Sequence, residues 1–418
     1  MSEIIINGGK RLSGRVSVQG AKNSVLPVLA GTVLCAGESV VHNCPILSDV
    51  ETSLKILEHL GCKCRREGGA VIVDSSGISE YDIPDSLMRE MRSSVVFLGA
   101  VIGRMGRAVI SSPGGCELGP RPIDLHLSAL ERMGVTITEE HGYLKCTAEN
   151  GLHGAEIHLG FPSVGATENI ILAAAVAAGV TVIHNAAKEP EISDLADFLN
   201  SAGARISGCG SDTVRIEGVK RLGGTEHTII PDRIVAATYM ACAAVTGGEI
   251  ELENVMPPHM VSLLWSFREC GCDISVSGKG LRLSAPERLH RIPTLRSLVY
   301  PGFPTDAGPV AVAMLASAEG TSVFVENIFE NRYRYIDELN RFGTKIKTEG
   351  KTAVIEGVGE LSGAHAKATD LRGGAALVVA ALKAHGASEI GNTHHIERGY
   401  EKITERLSSL GADISYKR

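Results

Sequence analysis

Aromatic residues are scarce in this chain, at 4% of its 418 residues, which leaves few rings on which nucleic-acid bases could stack. Positive charge is not in excess either: 41 Lys and Arg against 48 Asp and Glu give a net charge of -7. A site for anions must then be a local cluster rather than a property of the whole surface, and nucleic acid is not expected as a partner. Long apolar runs are also missing. The uncharged stretch from Ile170 to Ile183 falls short of the roughly 20 residues that a membrane span requires, and no apolar stretch follows a basic region near the start. The expectation is a cytoplasmic protein without a membrane partner. The ten cysteines contain no CxxC pair and no Cys/His metal spacing, so reduced, buried thiols are expected, with no disulfide framework, metal or cofactor.

What the sequence does contain is a repeat. An aliphatic helix end, a glycine and a strand recur as LGCKC, MGVTI, AGARI, CGCDI, FGTKI and LGADI, with the glycines at Gly61, Gly134, Gly203, Gly271, Gly343 and Gly411. The spacing is close to 70 residues, and six units fill the chain. Each unit opens with an apolar helix that starts at polar residues and stops at a glycine, as in SVGATENIILAAAVAAG and TDLRGGAALVVAALKAHG. Such helices, apolar nearly all round, are expected to be buried. A β-branched strand, an amphipathic helix and a hairpin follow, so the unit reads βαβαββ and the fold class is α/β (α+β).

At this length two domains are expected. The sixth unit ends at GADISYKR without a closing strand, while the opening IIINGGKRLSGRVSVQG resembles the hairpin ends of other units. The N-terminus is therefore expected to complete the last unit. This places residues 1–20 with 230–418 in the second domain and leaves 21–229 as the first. Two pseudo-threefold domains joined by a double crossover would close on each other, with the active site in the cleft between them.

Charged and polar residues gather at the starts of the buried helices: Lys22 and Asn23, Arg92, Ser163 with Thr167, Asp232 with Arg233, Asp306, and Asp370 with Arg372. Helix N-termini present free N–H groups and about half a positive charge, which makes them anion sites. Asp232 and Thr167 also have a plain reading as N-caps. That reading does not extend to Lys22, Arg92 or Arg372, because a cation opposes the dipole at that end. The stretch PGGCELGPRPIDLHL sets Cys116 among Pro113, Gly114, Gly115, Gly119, Pro120 and Pro122, a composition suited to a moving lid. Arg121 nearby would lower the thiol below its ordinary range.

With GAKNSVLP, MRSSVVFLGA, PGGCELGPRPIDLH, SVGAT, PDRI, FPTD, FENRY, ATDLRGG and HIERGYE, the chain closely resembles the UDP-N-acetylglucosamine enolpyruvyl transferases, across essentially its whole length. The resemblance implies two inside-out α/β barrels of three units each. It also implies phosphoenolpyruvate and UDP-N-acetylglucosamine as small-molecule substrates. By resemblance, Lys22, Asn23, Arg121 and Arg398 hold the phosphate and carboxylate of phosphoenolpyruvate. Arg92, the segment Arg121, Pro122, Ile123, Asp124 and Leu125, the turn Ser163, Val164 and Gly165, and Ile328 surround the nucleotide sugar, and Arg372 is taken as a further substrate contact. Asp306 matches the aspartate beside the sugar 3-hydroxyl, Asp370 a second carboxylate near the reacting carbons, and Cys116 the loop thiol that protonates C3. Where some members carry a lysine before the SVG turn, this chain has Phe161-Pro162. The shikimate-pathway transferase, which lacks the cysteine loop, and a silent UDP-sugar-binding paralogue are the rival readings. Cys62/Cys64, Cys270/Cys272 and His394-His395 are read as structural.

Overall fold

The computed structural model describes residues 3–91, 93–111 and 123–417. They gather into two compact units, one of residues 3–19 and 231–417, the other of 20–91, 93–111 and 123–230. Each has its own hydrophobic core.

Among the described residues the strands form six four-stranded sheets and one two-stranded ribbon. All six sheets share one plan, seen well in the strands Thr294–Arg296, Thr321–Val325, Thr352–Glu356 and Lys345–Glu349. The first two pair in parallel, the second pairs antiparallel with the third, and the third closes a hairpin with the fourth. The parallel pair requires a crossover, which the buried helix supplies. In the sixth sheet the strand Glu3–Asn7 takes the third place, antiparallel to both Ala387–Gly391 and Asp413–Lys417.

The burial of the strands explains the architecture. Ile4 and Ile6 are buried while their neighbours are not, and Leu281 with Leu283 and Ala353 with Ile355 repeat the pattern. One sheet face is thus apolar and must be covered. The covering helices are buried on every side: each residue of Arg233–Val245 and of Gly308–Leu315 is buried. These two pack on one another and on Leu371–Lys383, with the sheets outside, the inside-out arrangement that the resemblance implies. The six repeat glycines end the amphipathic helices at φ between +85° and +108°, a region closed to most side chains. Burial raises the Cys270 and Cys272 thiols to about 12.

A recurring latch leads from this frame toward the helix starts. In five units an asparagine follows the second strand, one residue on or, for Asn327, two, and its side-chain amide donates to the carbonyl just past the end of the neighbouring parallel strand. The pairs are Asn43 to Ile229, Asn185 to Leu159, Asn254 to Val18, Asn327 to Ser297 and Asn392 to Ala368, at 2.9, 2.8, 2.7, 3.0 and 3.4 Å. The acceptor strand runs on into the next buried helix, so the latch fixes where that helix begins. The sequence reading overlooked it, although VHN, IHN, LEN, VEN and IGN carry the signal.

Candidate active site

In the unit of residues 20–230, Lys22 and Asn23 open the helix Lys22–Thr32, which has no side-chain cap. Lys22 is 9% exposed, and its ammonium lies 2.9 Å from a carboxylate oxygen of the buried Asp49. A lysine at a helix start opposes the dipole, and Asp49 offsets that with an opposite charge held at short range. One residue further on, the Ser24 hydroxyl donates to the buried Asp194. The same carboxylate lies 2.9 Å from His227 Nε2. One buried acid thus ties the start of the lysine helix to the strand end near Ile230.

Ser163 caps the helix Val164–Ala174 by accepting from the Ala166 N–H, and Val164 and Gly165 form its first turn. Thr167, read as a possible cap, lies a turn inside instead. Its hydroxyl donates to the Ser163 carbonyl and accepts from the Ala187 N–H. Phe161 stands exposed just before this turn. The helix Asp124–Arg132 packs alongside, with Ile123 as its N-cap residue and Asp124 and Leu125 at its start. Asn169 joins the two helices. Its carbonyl oxygen accepts from the Gly99 N–H at 2.6 Å, which makes its nitrogen the donor to the Val95 carbonyl at 3.0 Å and to His126 Nδ1 at 2.8 Å. His126 accepts there, so its ring proton sits on Nε2. The Ile123–Leu125 and Ser163–Gly165 segments are held side by side through this buried pair.

The other unit holds Asp306 in a short 3-10 turn, Thr305–Ala307, ahead of the helix Gly308–Leu315. Its two oxygens face two guanidinium groups, Arg332 at 3.0 Å and Arg372 at 3.1 Å. Both arginines are buried, whereas the Asp306 side chain is 27% exposed, so the carboxylate looks outward from a cationic floor. Arg372 also donates to the Tyr400 hydroxyl at 3.3 Å, which lies 2.9 Å from the Thr238 hydroxyl. Burial opposes the Arg372 charge, but the fields of Tyr400, Asp306 and Asp232 raise its pKa above the ordinary value. Burial raises the Tyr400 phenol against the pull of Arg372. Arg372 therefore lies behind Asp306 and orients it.

Asp370 and Asp232 are both N-caps. Asp370 accepts from the N–H groups of Arg372 and Gly373, and Asp232 from those of Ile234 and Val235. Arg233, also buried, stacks 5.5 Å from the Tyr300 ring. Arg398 closes the short helix His394–Glu397, in which the two histidine rings lie 4.1 Å apart. Gly399 follows against the start of the Leu371–Lys383 helix, where a Cβ would come within 2.8 Å of the Leu371 side chain. Any larger residue there would have to displace the Leu371 side chain, and the close approach brings the Arg398 segment onto the helix that carries Asp370 and Arg372. Gln19, 7% exposed, braces the same segment by accepting from the Glu401 N–H at 2.8 Å and donating to the Gly399 carbonyl at 3.2 Å. Ile328 follows the strand Thr321–Val325, with its N–H bonded to Glu326.

Arg92, Cys116, Arg121 and Pro122 lie outside the described residues. Asp49, Arg332, Tyr400, Thr238, Gln19 and Glu326 were not singled out from the sequence. Arg332 had a signal, since it falls within the FENRY motif. Among the described residues no group of three or more His, Cys, Asp or Glu is arranged to hold a metal. No helix among them is long and apolar enough to cross a membrane.

The family described as EPSP synthase (3-phosphoshikimate 1-carboxyvinyltransferase) matches residues 6–407. A UDP-N-acetylglucosamine 1-carboxyvinyltransferase 2 of Caldanaerobacter subterraneus subsp. tengcongensis is 52% identical over 414 residues, spanning 99% of both chains. A UDP-N-acetylglucosamine 1-carboxyvinyltransferase 1 of Symbiobacterium thermophilum is 47% identical, over 98% of this chain and 94% of the relative. Among solved structures, the enolpyruvyl transferase NikO from Streptomyces tendae superposes with a TM-score of 0.89 at 24% identity, covering 100% of this chain and 99% of that one. An EPSP synthase from Acinetobacter baumannii gives 0.78 at 20% identity, with full coverage of both chains. The structures share the fold and the curated relatives share half the residues from end to end, so this chain belongs to the EPSP synthase family of enolpyruvyl transferases, on the side of the UDP-N-acetylglucosamine 1-carboxyvinyltransferases.

Proposed function

We propose that this chain transfers the enolpyruvyl group of phosphoenolpyruvate to the 3-hydroxyl of UDP-N-acetylglucosamine and releases phosphate, the first committed step of peptidoglycan synthesis. The observation that carries this reading is the near-complete alignment with carboxyvinyltransferases of that substrate at about half identity. In the proposed addition, Asp306 accepts the 3-hydroxyl proton as the oxygen attacks C2 of phosphoenolpyruvate, and Cys116 delivers a proton to C3. A tetrahedral ketal phosphate results. In the elimination the C2–O bond to phosphate breaks, a base removes a proton from C3, and the double bond returns. Lys22, Arg121 and Arg398 stabilise the charge that collects on the leaving phosphate. Asp370, which already anchors the Leu371–Lys383 helix, is the second carboxylate in this reading. Both substrates are soluble small molecules, and we place the reaction in the cytoplasm.

Phosphate release with phosphoenolpyruvate and each of two acceptors tests the proposal. Release is expected with UDP-N-acetylglucosamine and not with shikimate 3-phosphate. The reverse pattern, or none with either, would overturn it.

A further expected result concerns Gln19. Replacing it with Leu removes both bonds to the Gly399–Glu401 backbone while keeping the volume, and leaves buried polar groups unmatched. The Arg398 segment then loses its brace, so KM for phosphoenolpyruvate should rise about tenfold with a smaller change in kcat. An unchanged KM would show that the segment is held without Gln19.

A further inference from the structure

The buried acid Glu326 has no place in the chemistry above. The residue is 1% exposed, and its two carboxylate oxygens accept four hydrogen bonds. Oε1 takes the Ser297 hydroxyl at 2.8 Å, the Ile328 N–H at 2.8 Å and the Phe329 N–H at 3.1 Å, while Oε2 takes the Thr305 hydroxyl at 2.8 Å. The carboxylate therefore cross-links three segments: the end of the strand Thr294–Arg296, the turn that carries Asp306, and the loop that carries Ile328. Ser297 relays the clamp further by accepting from the Asn327 N–H at 2.9 Å.

The repeats supply an internal control. Val325 pairs with Arg296 as His42, His184, Glu253 and Gly391 pair with Thr228, His158, Ser17 and Lys367. Glu326, one residue beyond the strand, therefore stands where the other latched units have Asn43, Asn185, Asn254 and Asn392, and its own latch asparagine comes one residue later. In those units the asparagine at that position makes the latch itself, so the latch and the fold form without an acid there. The backbone differs as well: Asn43, Asn185, Asn254 and Asn392 have positive φ, and Asn327 does not share it. In this repeat the strand exit follows another path, and Glu326 turns inward to hold it. Burying a carboxylate is costly unless hydrogen bonds compensate, and here three of the four bonds it accepts come from the segments that bear Asp306 and Ile328.

We infer that Glu326 is a positioning residue for the acceptor side of the reaction, setting the Asp306 carboxylate through Thr305 and the sugar-facing loop through the N–H of Ile328. The inference rests on the function proposed above. Asp306 is then held from two directions: its charge by Arg332 and Arg372, its backbone by the hydroxyl of Thr305 on Glu326.

The test uses the full chain and the variants Thr305→Val, Thr305→Ser and Glu326→Gln, with phosphate release measured against UDP-N-acetylglucosamine at saturating phosphoenolpyruvate. Thr305→Val keeps the shape and removes one link. Its kcat should fall about ten- to a hundredfold, the cost of a small misplacement of a reacting group, with KM for the sugar nucleotide within about threefold. Thr305→Ser restores the hydroxyl and should recover most of kcat, whereas a purely structural role would lower Tm without separating kcat from KM. Glu326→Gln should lose less kcat than Thr305→Val, since the amide nitrogen at the Oε2 position can donate to the Thr305 hydroxyl and keep the link in reversed sense. Wild-type kcat in Thr305→Val, or equal losses in the Val and Ser variants, would overturn the inference. Amide hydrogen exchange of the wild type separates the two levels. Rapid exchange at Ile328 and Phe329 would remove the clamp itself, while protected amides in a protein that releases no phosphate would overturn the function and this inference with it.

Discussion

Cys116→Asp is expected to turn over and to withstand epoxide phosphonates of the fosfomycin type, while Cys116→Ser is expected to lose most of its activity. The difference follows from the role proposed for the thiol. A group that delivers a proton to C3 needs only acidity and reach, and a carboxylic acid meets both when a water-poor site raises its pKa. A serine hydroxyl is far too weak an acid. The loss in Cys116→Ser should be on the order of 10²–10⁴-fold in kcat, the usual contribution of a general acid. Opening an epoxide, by contrast, requires a soft thiolate nucleophile, and neither substitution supplies one. Arg121, five residues along, is the cation that would favour that thiolate. Steady-state phosphate release from both variants, with and without preincubation with the epoxide, decides the matter. A dead Asp variant beside a working Ser variant would overturn the acid assignment. Inactivation of Cys116→Asp by the epoxide would show that the covalent target lies elsewhere.

For Asp306→Asn the expected result is a fall in kcat on the order of 10²–10⁴-fold, with affinity for UDP-N-acetylglucosamine changed by only a few-fold. The amide keeps the shape of the side chain and loses the ability to take the 3-hydroxyl proton. The structure adds a second consequence. Arg332 and Arg372 each donate to one oxygen of the carboxylate, so in the Asn variant one guanidinium faces an NH₂ group, donor against donor, and both lose the compensating charge. Removing one partner of a buried ion pair costs about 3–5 kcal/mol. Asp306 is partly exposed, so the penalty here should be smaller, and a lowered Tm should accompany the loss of activity. Asp306→Glu separates the two effects: it retains the charge for both arginines but displaces it by one methylene, so stability should largely return while kcat stays low. Calorimetric titration of the sugar nucleotide and a melting curve for each variant complete the test. Near-normal turnover of Asp306→Asn would remove Asp306 from the base role.

Much of the fold was legible because it depends on properties that a sequence states locally. A glycine after each amphipathic helix, at Gly61 and its five equivalents, marks a backbone angle that few other residues accept. Helices as uniformly apolar as IVAATYMACAAV leave no polar face for water, so their burial under the sheets followed before any coordinates. Asp232 could likewise be read as a cap, since capping joins a side chain to an N–H two or three residues away. Thr167 misled the same reasoning because composition marks a helix start only to within a turn.

The candidate site was legible as a set of positions and much less so as a set of contacts. Lys22, Ser163, Asp306 and Arg372 stood out because charged and polar residues at the starts of apolar helices break the pattern around them. That Arg372 turns its guanidinium onto Asp306, 66 residues away, or that Gln19 reaches the backbone at Glu401 across 382 residues, could not be read in the same way. No periodicity links such partners, and their meeting depends on how three helices and their sheets pack.

The sequence by itself determined the repeat, the buried helices, the glycine stops and the family, because each rests on the backbone preference or polarity of residues close together in the chain. Only the tertiary structure decided which acids are paired and which way they face. Glu253 and Glu326 both precede an asparagine in successive repeats, yet Glu253 ends its strand and lies in solvent, while Glu326 stands one residue past the strand end and is buried among four donors. The choice between those states is made by the groups that surround a carboxylate, since burial is tolerated only where enough donors converge. Here two donors, the N–H groups of Ile328 and Phe329, are local, but the hydroxyls of Ser297 and Thr305 lie 29 and 21 residues away and reach the carboxylate only once the unit has folded.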